Sequence, residues 1–351
     1  MKTLINPYRG RTDAMPGLAG LDDIPLPGTD AARPMALIAR CPRHAPTPLR
    51  QVPALADRCG VAEVWIKDER GRMGLGSFKA LGAAYVIACD AQAGDASGQT
   101  YVTASAGNHG LSVAAGARAF GARAVVYIAE TVPESFAERL RAEGAEVVRA
   151  GASYEQSMAA AARAAEAQGW QLLSDSSWPG YTARPHRLME GYLVLVEEVV
   201  REIAAPPSHV FLQAGVGGLA GAAAALIRAR WGDGPQIVVV EPDQAPALAA
   251  SIAAGRPVVS SGGVSAMGRL DCKEPSLIAL RGLARDADAF ATITEAEGLA
   301  GAALAAAAGL PSTPSGAAGL AGLLVASGQG GVPGHTPAAR VLLILSEGPE
   351  A

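Results

Sequence analysis

Lys79 is the first residue whose type and surroundings could do chemistry. It stands among small residues just before an apolar stretch of helical periodicity, in the run Gly74-Leu75-Gly76-Ser77-Phe78-Lys79-Ala80-Leu81-Gly82. A lysine amine can form a Schiff base with an aldehyde and, once freed, can remove a proton. Most lysines beside a helix are simply solvated, so this segment alone also fits an ordinary surface side chain.

A glycine-rich turn follows an apolar strand in the second half of the chain, at Ala214-Gly215-Val216-Gly217-Gly218-Leu219. Strand, turn and helix in this order direct backbone N–H groups and the positive end of a helix dipole at an anion such as a phosphate. An ordinary tight connection without a ligand would look the same. A dinucleotide fingerprint is excluded, because the turn lacks the G-x-G-x-x-G spacing and no acidic residue follows a first βαβ unit.

Two more segments carry polar groups at positions where α/β proteins bind ligands. Asn108 opens a helical run in Ser105-Ala106-Gly107-Asn108-His109-Gly110, where an amide also serves well as a helix cap. Ser346 follows the last predicted strand and therefore lies at the carboxyl end of a sheet, where open α/β folds bind ligands.

The order of these four segments resembles that of the fold-type-II pyridoxal-phosphate enzymes. This family includes threonine and serine dehydratases, tryptophan synthase β and diaminopropionate ammonia-lyase. The resemblance implies an α/β fold like that of tryptophan synthase β, with two open, twisted, mostly parallel sheets flanked by helices. It also implies pyridoxal 5'-phosphate as the cofactor.

The resemblance further implies a role for each segment. Lys79 would carry the cofactor and return as the base that takes the α-proton of the substrate. Asn108 would hydrogen-bond the phenolic oxygen of the cofactor ring, and Ser346 would contact the ring nitrogen. The cofactor phosphate would lie on Gly215, Val216, Gly217, Gly218 and Leu219. The substrate α-carboxylate would lie against Ser105, Ala106 and Gly107.

Several strings are more similar to diaminopropionate ammonia-lyases than to threonine dehydratases. They are Asp175-Ser176-Ser177-Trp178-Pro179-Gly180-Tyr181-Thr182, the following Met189-Glu190-Gly191-Tyr192, and Phe211 through Gly217. This resemblance implies elimination from 2,3-diaminopropionate to give pyruvate and ammonia. Asp175 is then a candidate for recognising the β-ammonium group, and a simple turn aspartate is the alternative.

Two other interpretations stay open. One is a dehydratase of serine, threonine or a 3-hydroxy amino acid. The other is a paralogue that binds pyridoxal phosphate without turnover, against which the presence of Lys79, Asn108 and Ser346 argues.

The chain departs from the pattern of the family it resembles at two positions. Diaminopropionate ammonia-lyases usually carry an aspartate, associated with action on the D-isomer, where this chain has Ala106. Family members with a divalent-metal site usually carry a glutamate two residues before the equivalent of Ser315, where this chain has Thr313. We therefore expect action on the L-isomer and no metal.

Composition limits the class of protein. The chain has 351 residues, half of them hydrophobic, a net charge of −4 and four cysteines without metal-ligand spacing. No apolar run is long enough for a membrane span, and no basic face is indicated for nucleic acid. The N-terminus resembles neither a signal nor a transit peptide. We expect a cytoplasmic homodimer that binds a small amino acid.

Periodicity predicts alternating strands and helices after an irregular N-terminal segment of about 45 residues. The predicted strands are 61–67, 100–104, 124–128, 147–149, 172–173, 210–213, 236–240 and 341–345. The predicted helices are 78–91, 108–120, 154–168, 218–230, 247–253 and 298–308. Thr131 to Glu134 has the pattern of a capping box that opens another helix. We expect residues 1–83 and 185–351 to form a large cofactor-binding domain and residues 84–184 a small domain that carries Asn108.

Overall fold

The structure is a computed structural model, and it describes residues 1–10, 18–94, 96–329, 332 and 335–349. The strands are β1 (Lys2–Ile5), β2 (Leu49–Gln51), β3 (Glu63–Asp68), β4 (Thr100–Ala104), β5 (Arg123–Ile128), β6 (Glu146–Arg149), β7 (Gln171–Leu172), β8 (His209–Gln213), β9 (Gln236–Pro242), β10 (Ala289–Ile293) and β11 (Arg340–Leu345).

The helices of the first half are α1 (Ala32–Ile38), α2 (Pro53–Cys59), α3 (Lys79–Ala93), α4 (Asn108–Ala119), α5 (Glu134–Ala142) and α6 (Tyr154–Gln168). Those of the second half are α7 (Ala183–Glu202), α8 (Gly218–Trp231), α9 (Ala247–Ala254), α10 (Leu277–Asp286), α11 (Glu295–Ala307) and α12 (Ala318–Gln329). A 3₁₀ helix also spans Glu69–Gly74. None of the helices in the described part of the chain combines the length and apolarity that a membrane span requires.

The strands form two sheets. The larger has the order β1-β10-β9-β8-β11-β3-β2 and is parallel except at its edges, where β1 and β2 pair antiparallel with their neighbours. The smaller has the order β6-β5-β4-β7 and is parallel throughout. Both β4 and β8 are buried along their whole length, as expected for central strands covered on both faces.

The predicted α/β organisation is confirmed, and most predicted elements match the structure to within three residues. The expected irregular N-terminal segment is the first of two expectations that the structure shows to be wrong. The N-terminal segment is not irregular throughout: β1 pairs with β10, and α1 packs against α3 and α7. These elements depend on partners distant in sequence, which local periodicity does not reveal. The division into residues 1–83 with 185–351 and 84–184 stays a prediction.

The predicted capping box at Thr131 does not form. α5 begins at Glu134 and its cap is Pro133, so Glu134 is the first helical residue rather than the third. Its carboxylate instead pairs with Arg141 and Arg149. A complete capping box caps α11, between Thr294 and Glu297, and this explains why that helix starts three residues earlier than predicted.

Close packing of α3 on α7 fixes the helix that begins at Lys79. A Cβ atom on Gly191 would lie 2.6 Å from the backbone oxygen of Leu81, and one on Gly82 would lie 2.7 Å from the ring of Tyr192. Glycine at both positions is therefore what allows the two helices to approach. The Phe78 ring packs edge-on against Tyr192 with centroids 4.9 Å apart.

A buried ionic cluster ties the segment before Lys79 to α7. The Arg72 side chain is fully buried, and it donates to Glu69 at 2.7 Å and to Glu198 at 2.7 and 3.0 Å. Lys67 donates to the backbone oxygen of Thr47 and lies 2.6 Å from Glu198. Removing one charge from such a cluster is costly, because the remaining charges lose their compensation in a dry interior.

We predict that Arg72→Leu lowers the free energy of unfolding by about 3–5 kcal/mol, because Glu69 and Glu198 stay buried with one cation fewer. Denaturant unfolding followed by circular dichroism measures this. The matched control is Arg201→Leu on α7, whose side chain is 61% exposed and pairs with Glu197, and it should cost less than about 1 kcal/mol. Equal losses in the two variants would contradict the prediction.

Candidate active site

A cavity of about 630 Å³ lies at the carboxyl ends of strands from both sheets. The segment after β4, including the start of α4, contributes Ser105 to His109, and the segment after β8, including the start of α8, contributes Ala214 to Leu219. The cavity also contains Lys79, Asp175, Arg269, Ser315, Ser346 and Glu347. Every predicted catalytic, cofactor and substrate residue therefore lines this one cavity, and the roles given to them stay predictions.

The loop before Lys79 is fastened to the end of β11. Ser77 forms an antiparallel bridge with Glu347, and the Phe78 amide donates to the Ser346 carbonyl oxygen at 3.2 Å. The Gly348 amide donates to the Gly76 carbonyl oxygen at 3.0 Å. These backbone bonds hold Lys79 and Ser346 in one rigid unit, although 266 residues separate them in the chain.

Lys79 and Asp175 form an ion pair inside the cavity, with side chains 22% and 15% exposed. Burial lowers the pKa of the Lys79 amine, but the Asp175 carboxylate outweighs burial and leaves that pKa raised. Burial conversely raises the pKa of Asp175, and the Lys79 ammonium outweighs it and leaves that pKa well below its usual range. Asp175 is thus a partner of Lys79 and not merely a turn residue.

Two other polar groups beside this pair are held in neutral form. Burial lowers the pKa of His109, whose Nε2 contacts the Leu173 carbonyl oxygen at 2.8 Å. Burial also raises the pKa of the Cys272 thiol to about 12. The ion pair therefore carries the principal charges at this end of the cavity.

The glycine-rich turn has the shape of an anion cradle. Its Gly217 caps α8 with φ of +97° and no side-chain cap, so the first turn of the helix faces the cavity with backbone groups. A Cβ atom on Gly215 would lie 3.1 Å from the Cys272 Sγ atom and from the Leu270 Cα atom. Glycine at 215 therefore lets the turn pack against Leu270 and Cys272, and the uncapped start of α8 in the cavity wall suits a phosphate.

Asn108 is the first residue of α4, and Gly107 is the cap of that helix. The Asn108 amide donates to the Glu347 carboxylate instead of capping the helix. Glu347 also accepts from the Thr313 hydroxyl, and its neighbour Ser346 is buried at the end of β11. The Asn108 amide therefore lies against a buried carboxylate, and that carboxylate belongs to the residue that directly follows Ser346.

Among the cavity residues that the sequence predictions did not include are Glu347 and Arg269. Glu347 directly follows Ser346, so its place could have been read from the same strand end. Arg269 lies in the loop between α9 and α10, and no motif marks it. No cluster of three or more His, Cys, Asp or Glu side chains suited to a metal ion occurs within the described residues.

The matches with known proteins agree with this geometry. Residues 41–347 match the family described as pyridoxal-phosphate dependent enzyme. The chain belongs to this family. The match covers most of the chain and includes Lys79, Asn108, the glycine-rich turn and Ser346.

Three relatives illustrate the similarity. Diaminopropionate ammonia-lyase of Salmonella typhimurium is 34% identical over 272 residues, which are 70% of this chain and 67% of that enzyme. A mouse serine dehydratase-like protein is 32% identical over 218 residues, 62% of each chain. The crystal structure of Escherichia coli diaminopropionate ammonia-lyase in complex with an aminoacrylate-PLP azomethine reaction intermediate superposes with a TM-score of 0.86 at 28% identity, covering 99% of this chain and 93% of that one.

The predicted fold type and the predicted cofactor, pyridoxal 5'-phosphate, are confirmed by these matches. The residues of the cavity fit that group. Lys79 supplies an amine, the glycine-rich turn supplies a cradle for the phosphate, and Asn108 and Ser346 supply polar groups for the ring.

We predict that Asp175→Asn lowers the pKa of Lys79 below its ordinary value, because burial is then no longer outweighed by a carboxylate. The pH titration of ¹³C-methylated lysines by NMR measures this in protein freed of the cofactor, where the Lys79 amine is not in a Schiff base, and the chain has only four lysines to assign. The matched control is Asp271→Asn, which removes a carboxylate of the same cavity that pairs with Lys273. A Lys79 titration that Asp175→Asn leaves unchanged would contradict the assigned ion pair.

Proposed function

We propose that this chain is a pyridoxal-phosphate-dependent ammonia-lyase whose substrate is 2,3-diaminopropionate. The reaction consumes one water and yields one pyruvate and two ammonia molecules. The similarity to diaminopropionate ammonia-lyases supports the reaction class. The observation that carries the choice of substrate is the ion pair between Lys79 and Asp175 inside the cavity.

Each residue would have a defined task. The turn from Gly215 to Leu219 would hold the cofactor phosphate, Asn108 the phenolic oxygen and Ser346 the ring nitrogen. When bound, the cofactor withdraws electrons from the α-carbon of an attached amino acid. Lys79 would take the α-proton at its Nζ atom. Because Ser346 is neutral, it does not hold a proton on the ring nitrogen as an aspartate would, and this favours prompt loss of the β-group.

Asp175 distinguishes the leaving groups by charge. To act as a base, the Lys79 amine must be neutral, and Asp175 then loses the cation that compensates its buried carboxylate. The β-ammonium of diaminopropionate can replace that cation. A β-hydroxyl group, as in serine, brings no charge and leaves the carboxylate uncompensated, at a cost that burial makes large.

The alternative is a dehydratase of serine, threonine or a 3-hydroxy amino acid. The similarity to the mouse serine dehydratase-like protein supports it. The charge of Asp175 argues against a neutral leaving group. The cytoplasmic location and the homodimer expected from the sequence stay predictions.

We predict that the purified holoenzyme releases two ammonia molecules per pyruvate from L-2,3-diaminopropionate. Its kcat/KM for this substrate should exceed that for L-serine by at least about tenfold, the ratio that corresponds to the free energy of one charge-assisted hydrogen bond. A panel with serine, threonine and 3-hydroxyaspartate measures the preference. Asp175→Asn should reduce it and Asp271→Asn should not. Faster turnover of a hydroxy amino acid would establish the dehydratase instead.

We predict that the enzyme turns over the L-isomer of diaminopropionate and largely ignores the D-isomer. A base on one face of the cofactor removes only the proton presented to that face, and Ala106 supplies no second base. Ala106→Asp should add activity on the D-isomer, and the control Ala106→Asn, of similar size but without a base, should not. Assays with the separate D- and L-isomers of diaminopropionate measure these activities in the unmodified enzyme and in both variants. Comparable turnover of both isomers by the unmodified enzyme would contradict this account.

A further inference from the structure

Arg269 lies in the loop between α9 and α10 and brings a guanidinium group to the segment after β4. Its backbone lies against the glycine-rich turn, because the Arg269 carbonyl oxygen would be 3.2 Å from a Cβ atom on Gly215. Its amide donates to the Ser315 hydroxyl at 3.1 Å. From this anchored backbone the side chain extends to the loop after β4.

The guanidinium lies directly on Gly107. A Cβ atom at position 107 would be 2.8 Å from the Arg269 Nη1 atom and 3.2 Å from its Cζ atom. The Cζ atom is 5.9 Å from the centre of the Phe136 ring, and the Nε atom is 3.8 Å from the Glu347 carboxylate. Glycine at 107 is thus what lets a guanidinium approach the segment predicted to receive the substrate carboxylate.

The other cations of the cavity are held by groups unrelated to that segment. Lys79 pairs with Asp175. Lys273 donates to the backbone oxygens of Gln244 and Gly263 at 2.8 and 2.7 Å and to Asp271 at 2.6 Å. Arg269 is the guanidinium that lies beside Gly107 and the start of α4, where the helix dipole also favours an anion.

We propose that Arg269 binds the α-carboxylate of the substrate, opposite the backbone of Ser105 to Gly107. This inference rests on the proposed function, because it concerns the substrate of the same cavity. A guanidinium matches the two oxygens of a carboxylate with two parallel N–H donors, which an ammonium does not. With Asp175 paired with the β-ammonium group and Arg269 with the α-carboxylate, the cavity offers an opposite charge to each end of a small diamino acid.

The test compares ligands that differ only in the carboxylate. L-Alanine and ethylamine both carry a primary amine that can react with the bound cofactor, and neither has a β-group to lose. Their dissociation constants are measured from the absorption spectrum of the holoenzyme, without turnover. The variants are Arg269→Gln and Arg269→Lys, and the charge-matched control is Arg163→Gln, an exposed arginine on α6. Cofactor content and circular dichroism confirm that each variant is folded and loaded.

We expect Arg269→Gln to weaken binding of L-alanine by about ten- to a hundredfold and to leave ethylamine unchanged. Arg269→Lys should recover part of the loss, and Arg163→Gln should alter neither ligand. The KM for L-2,3-diaminopropionate should rise in parallel.

Unchanged binding of L-alanine by both Arg269 variants would overturn the proposal. So would equal losses for L-alanine and ethylamine, which would assign Arg269 to the cofactor. If L-alanine binding is unchanged and only the KM for 3-hydroxyaspartate in the substrate panel rises, Arg269 would contact a second acidic group on the substrate, and this would also overturn the proposal. If the wild-type enzyme releases no ammonia from diaminopropionate but the alanine result holds, the proposed function fails and the role of Arg269 stands.

Discussion

The ion pair of Lys79 with Asp175 is the interaction on which the rest of the site depends. It holds a reactive amine inside a cavity where burial alone would favour the neutral form. The surroundings are rigid: Ser77 is bridged to Glu347, and the helix that follows Lys79 packs on α7 through Gly82 and Gly191. The fold therefore fixes where the amine lies, and Asp175 fixes its charge.

The charged side chains of the cavity lie at separate positions around it. Asp175 lies beside Lys79, Glu347 lies beside Asn108, and Arg269 lies beside Gly107. Each charge is carried by a different loop, and both sheets contribute loops at their carboxyl ends. A parallel sheet brings such loops together because all its strands end at one edge, and this is why residues so distant in sequence share one cavity.

Sequence patterns are sufficient to predict elements whose structure depends on neighbouring residues. The strand before Ala214, the glycine-rich turn and the helix after it follow from patterns within about twenty residues, and the structure has all three in place. Arg269 was not predicted because no local motif marks it and its contacts, Gly107 and Ser315, lie in distant segments. Glu347 directly follows Ser346 and could have been predicted from the same strand end. The capping box at Thr131 does not form because α5 begins only at Glu134, a boundary that the local pattern does not reveal.

The most direct measurement of the central claim is borohydride reduction of the holoenzyme followed by peptide mapping. The chain has four lysines, and of these Lys79 and Lys273 line the cavity. Reduction should attach the cofactor to the peptide that contains Lys79, and Lys79→Ala should abolish the label, whereas Lys273→Ala should keep it. A label on the Lys273 peptide, or one that persists in Lys79→Ala, would contradict the account of the whole site.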